Sequence, residues 1–174
     1  METNENITSV RLLPGKLYIA PEGVADEDVA SDDYYAGATK GKVELSVREN
    51  VREIHDLEGN KVCDIRFGGR MELRGTLTEI KPFALAELIG AKRASYGRYE
   101  VGEKPSVRRM TVCLVCPVYG GTEDFTLLLR AAVRDTAKLT LDPTGADGVS
   151  FTVVSENRFG KTSASLFFGE RSAS

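Results

Sequence analysis

The 174-residue sequence predicts a mainly β fold, a sandwich or barrel of antiparallel strands with one short flanking helix. Three observations carry this. Apolar and polar residues alternate over several runs, which is the period of a half-buried strand. Turn residues rich in Gly, Pro and Asn separate those runs. Only one stretch, ending at Gly90, carries a good helix signal, so parallel strand–helix–strand units, which need a helix between most strands, find no support.

Residues 1–7 read as a mobile arm. Val10 to Leu13 and Lys16 to Ala20 read as a strand or hairpin around the turn pair Pro14-Gly15. Residues 21–41 are polar and acidic and read as a loop of about twenty residues, a length that tends to be functional or mobile. Val43, Leu45 and Val47 alternate with Lys42, Glu44, Ser46 and Arg48, and the pattern runs on to Ile54. Asp56, Leu57, Glu58, Gly59 and Asn60 then form a polar turn, and the chain returns through Val62, Ile65 and Phe67. A hairpin with arms of about ten residues exceeds what a small domain needs to cover itself, so its tip is expected to project towards a partner.

The return arm runs into the most ordered stretch of the chain. Met71, Leu73 and Leu77 point one way, while Glu72, Arg74, Thr76 and Thr78 point the other. At Pro82 the period changes: Leu85, Leu88 and Ile89 define a helix face. Proline suits the first helical turn and Gly90 the left-handed stop beyond the last. Residues 92–106 read as a second long loop. Val107 to Val118 and Phe125 to Val133 read as a second hairpin around Tyr119 to Thr122, and Val149, Phe151 and Val153 as a further strand after the turn at Asp142 to Gly145. Residues 160–174 read as a C-terminal arm.

At this length one domain is expected, able to bury a core without disulfides or metals. Hydrophobic residues make up 41% and charged residues 28%, as in an ordinary globular protein. A formal net charge of −3 argues against a general nucleic-acid binder, which needs a basic surface. The polar, acidic start has no signal-peptide character, and the longest apolar run, Val112 to Val118, is too short to span a bilayer. Synthesis in the cytoplasm with reduced cysteines is the expectation.

Residues with the right chemistry for a site fall in the wrong settings. Cys113 and Cys116 form a C-x-x-C within a strand pattern, where residues three apart face opposite sides, so structural thiols are expected rather than a redox or zinc pair. His55, the single histidine, sits beside a turn with no nucleophile elbow, and reads as a surface residue. Phe159 to Thr162 resembles the end of a P-loop, but position 155 is serine where the upstream glycine belongs. The acids between Glu22 and Asp33 lack the ligand spacing of an EF-hand. Neither enzyme activity nor a cofactor or metal is expected, and an interaction or structural role is favoured.

The order of features, with Leu73-Arg74-Gly75-Thr76-Leu77-Thr78-Glu79 running into Leu85-Ala86-Glu87-Leu88-Ile89-Gly90, resembles the major tail tube proteins of long-tailed bacteriophages. The acidic loop and residues 92–106 match no motif of that family. The resemblance implies a virion protein of the tail. Its copies would form rings, expected to be hexameric, that stack into a hollow conduit through which DNA leaves without sticking. Partners would be further copies of itself and other tail proteins, with no membrane. Asp56 to Asn60 would then be a ring-stacking tip, and Glu44, Glu72 and Glu79 candidate channel-lining acids. The competing reading of these acids is ordinary strand charges paired with Lys42, Arg48 and Arg74. The alternatives are another ring component (a tail terminator, a neck protein or a contractile-system tube protein), or a β-barrel that binds a small molecule.

Overall fold

The computed structural model describes residues 3–102, 108–117, 123–134, 148–156 and 166–172. The turns expected at 119–122 and 142–145 and the P-loop-like residues 159–162 lie outside that set.

Among the described residues ten strands and two α-helices follow in order: β1 (Thr3–Leu12), β2 (Lys16–Pro21), α1 (Asp26–Val29), β3 (Tyr35–His55), β4 (Lys61–Leu77), α2 (Pro82–Ile89), β5 (Lys92–Arg93), β6 (Tyr99–Glu100), β7 (Met110–Pro117), β8 (Glu123–Arg134), β9 (Val149–Glu156) and β10 (Leu166–Ser172). Six of them, β3-β2-β7-β8-β9-β4, pair antiparallel, and β4 returns to β3, which closes a barrel. The alternation in the sequence sets which side faces in. Leu45, Leu73 and Val153 stand in register across β3, β4 and β9, and Leu17, Leu114 and Leu127 across β2, β7 and β8. All six belong to one buried cluster. Each such side chain contributes roughly 1.5–3 kcal/mol by leaving water.

β1 and β2 do not form a hairpin with each other. Both lie along the same edge of β3, β2 opposite Tyr35–Ala38 and β1 opposite Val43–Arg52. The N-terminal arm expected at residues 1–7 is therefore strand from Thr3 onward. β3 outruns β2, and its uncovered N–H and C=O groups need partners that β1 supplies. The C-terminal arm is corrected for the same reason: Leu166–Ser172 pairs with Glu123–Leu129 of β8, with the Phe125 and Phe168 ring centroids 6.4 Å apart.

α2 plugs one end of the barrel. Pro82 opens it and Gly90, at φ 71, closes it with its N–H on the Ala86 carbonyl. The buried face differs from the expected one. Ala84, Ala86 and Leu88 are buried, while Leu85 and Ile89 are half-buried. Ala84 and Leu88 join the main core, because a helix laid across a barrel mouth turns a narrow edge inward and small residues let it approach. Arg108 secures the helix end, donating to Glu87 at 2.9 Å and to the Ala91 carbonyl at 2.6 Å.

The acidic stretch 21–41 is not one loop. From Tyr35 it is strand, and before that it folds back as α1 and a 3-10 turn, Asp32–Tyr34. This cover packs on the outer side of β2, β7 and β8. Val29 is fully buried there in a second cluster with Tyr18, Ala20, Cys113 and Leu128, and Tyr18 meets Tyr35 edge-on at 5.7 Å. Cys113 thus lies outside the sheet and Cys116 inside it, the opposite placement their spacing implies. Burial, and then the charge of Asp124, pushes the Cys116 thiol pKa up. Within residues 92–106, β5 and β6 form a small hairpin, and 103–107 lie outside the described residues.

Candidate assembly surfaces

β4 pairs with β9 only over Arg70–Leu77. Among the described residues its first nine, Lys61 to Gly69, have β3 on one side alone, an arm of about 30 Å beyond the β4–β9 ladder. β1 runs beside β3 as far as Arg52. The arm points away from the α2 end, since β3 leaves that end at Tyr35 and reaches the arm at His55.

The tip is built by Asp56. Its carboxylate accepts the N–H of Glu58 at 2.9 Å, the N–H of Asn60 at 2.8 Å and the side-chain amide of Asn60 at 3.2 Å. Gly59 takes φ 87, and its carbonyl lies 3.1 Å from His55 Nδ1. Leu57 is fully exposed, and Ile54 and Val62 are exposed beside it. Lys61 bridges to Glu53 at 2.9 Å. The bonds from Asn60, followed by those from Glu58 and Gly59, hold the Asp56 carboxyl below its usual pKa. A depressed carboxylate stabilises the turn above its unfolded pKa, and that contribution is lost as pH falls through the folded value. The amides of Glu58 and Asn60 are therefore expected to keep slow hydrogen exchange at neutral pH and to lose it below the ordinary aspartate range of about 4. Exchange rates measured residue by residue across pH check this.

The three acids expected near a channel are not brought together. Leu73 faces the core, so Glu44 and Glu72 share the outer face of the barrel. Glu72 is only 6% exposed, held by Arg74 at 2.7 Å and approached by Arg70 at 3.9 Å. A covered, paired carboxylate is the setting that the competing reading, paired strand charges, describes. Its partners were visible in the sequence, because Arg-x-Glu-x-Arg on a strand puts three charges on one face. Glu44 is half-buried and stands opposite Arg74, with Ser46 Oγ donating to it at 3.5 Å. Glu79 is exposed beyond β4 at the α2 end, 3.5 Å from the Tyr35 hydroxyl. Burial first, and then the Glu79 charge, raises the Tyr35 pKa.

A third surface escaped sequence reasoning. Arg130 of β8 forks onto Asp26 of α1, with Nε 2.9 Å from Oδ1, and its guanidinium lies 4.6 Å from the Phe167 ring centroid of β10. One cation thereby ties the acidic cover and the C-terminal strand to the same strand. Between them lies a groove of about 430 Å³.

Among the described residues no group of three or more His, Cys, Asp or Glu could hold a metal, and no helix is long and apolar enough to cross a membrane. Comparison with protein-family models, with curated proteins and with solved structures finds no match.

Proposed function

We propose that this chain is a structural subunit that assembles with copies of itself into stacked rings, as a tail tube component of a long-tailed phage. The observation that carries the reading is the β3–β4 arm, a stiff strand ribbon reaching beyond a barrel that does not need it. Strands β1 and β10 each have a neighbour on one side only among the described residues, and such edges pair readily between copies. The mild net negative charge suits a conduit that must not hold DNA. The filled interior disfavours a small-molecule barrel: Leu17, Leu73, Leu77, Leu114, Leu127 and Leu129 are at most 1% exposed, and α2 seals one mouth.

Light scattering across concentration tests this. The expected result is a mass that climbs through ring-sized species as concentration rises, and a mass fixed at one chain would refute the reading. Asp56→Lys loses the acceptor that shapes the tip and reverses its charge. It is expected to leave the barrel's melting intact, to leave rings intact and to shorten tubes several-fold in electron micrographs. Tubes of normal length would remove the tip from the stacking contact.

A further inference from the structure

The hairpin after α2 presents a residue in an unfavourable backbone state. Tyr96 has φ 61 and ψ 29, and it is the only non-glycine residue with positive φ among those described. With Gly97 at φ 71 it forms the two central positions of a tight turn in which both residues are left-handed, the place where Asn, Asp or Gly normally stands. The turn is closed by the Arg98 N–H on the Ser95 carbonyl at 3.5 Å, and the Ala94 N–H donates to the Arg98 carbonyl at 2.8 Å beside it. A bulky residue held there costs free energy, and such strain clusters where a side chain has a task. The ring is 98% exposed. Around it the hairpin carries Lys92, Arg93 and Arg98 against a single acid, Glu100, and all four are exposed.

The groove between α1 and β10 has the opposite character. Leu128, Phe167 and Phe168 supply apolar walls, and Asp26 and Glu27 stand at its margin. The cover that forms one wall, residues 21–34, holds six acids and no basic residue. Thr126 Oγ1 is buried in this groove with no hydrogen-bond partner. A buried hydroxyl without a partner is costly, and a phenol O–H entering beside it would relieve that cost. The volume is within the range of sites that bury a side chain or small ligand.

We propose that the Tyr96 hairpin of one copy docks in the α1–β10 groove of a second copy, its ring between Phe167 and Leu128 and its basic residues facing the acidic cover. The occupant is a second copy because the opposite charges of hairpin and cover are complementary within this one chain, and a steered, oriented contact follows from that. Knob and groove are different surfaces, so a single such contact leaves one knob and one groove open, and its repetition builds rings or filaments. The contact rests on the self-association in the reading above, but not on the assembly being a tube.

The test uses the full chain and sedimentation velocity across concentration and salt. Tyr96→Asn places a residue that tolerates the left-handed turn. The expected result is a fold at least as heat-stable as the wild type with self-association weakened at least tenfold. Tyr96→Phe is expected to lose several-fold, the share belonging to the hydroxyl. Arg98→Glu and Glu27→Lys are each expected to weaken association, and the double variant to recover most of it. Wild-type association weakening with added salt is the accompanying signature. A wild-type chain that stays monomeric, or a Tyr96→Asn variant that associates like the wild type, overturns the proposal. In the second case self-assembly itself still stands. If Tyr96→Asn weakens association but micrographs show no tubes, the contact holds and the tube reading fails.

Discussion

Replacing Leu88 with alanine is expected to lower stability by about 2–5 kcal/mol, measured by denaturant unfolding. Leu88 is 2% exposed and enters the main core from the helix that seals the barrel. Truncation leaves a void at a barrel mouth, where the surrounding strands are fixed by their hydrogen bonds and cannot collapse inward. Leu85→Ala, on the half-buried flank, is expected to cost less than half as much. Equal losses at the two positions would mean that the helix is rotated from the orientation described. Because the arm lies at the other end of the barrel, the loss in Leu88→Ala should appear as earlier global unfolding and leave the tip's exchange behaviour at neutral pH intact.

Phe151→Ala is expected to cost about 3–5 kcal/mol. Phe151 is 3% exposed and stands directly opposite Gly75 in the β4–β9 ladder. The glycine makes room for the ring: a Cβ built at position 75 would lie 3.1 Å from Phe151 Cε1 and 3.3 Å from Val43 Cγ2. The pair is thus one packing unit, and the two positions are coupled. Gly75→Ala should be destabilising with Phe151 present and close to neutral with Phe151→Leu, where the smaller side chain yields space. A double-mutant cycle measures that coupling, and additive losses would show that ring and glycine do not share the space.

Much of the fold was legible because its signals are local. Leu45, Leu73, Leu114 and Leu127 declare their inward side through alternation with polar neighbours, and Pro82 and Gly90 bracket α2 by their own backbone preferences. Strand pairing is a long-range property and left weaker traces. Residues 1–7 read as an arm because a strand on an outer edge buries little, and only the excess length of β3 turns Thr3 onward into a partner. Ala84 lost to Leu85 in the sequence reading because a hydrophobic stripe favours the larger residue, whereas a barrel mouth selects the smaller. The acidic residues 21–34 carried a hidden signal in Val24, Val29 and Tyr34, apolar positions with no place in a solvated loop. The pairing of Glu72 was legible, because arginines two positions away share its face of the strand, while its depth of burial was not. Tyr96 preceding a glycine marks a turn, but the left-handed state of the tyrosine itself has no sequence signature.

The central claim is that the projecting arm and the edges left open among the described residues serve copy-to-copy assembly. Negative-stain electron microscopy of the purified, concentrated chain tests it most directly. The account predicts rings of uniform diameter that stack end to end into hollow tubes. A field of single compact particles, unchanged as concentration rises, would contradict it.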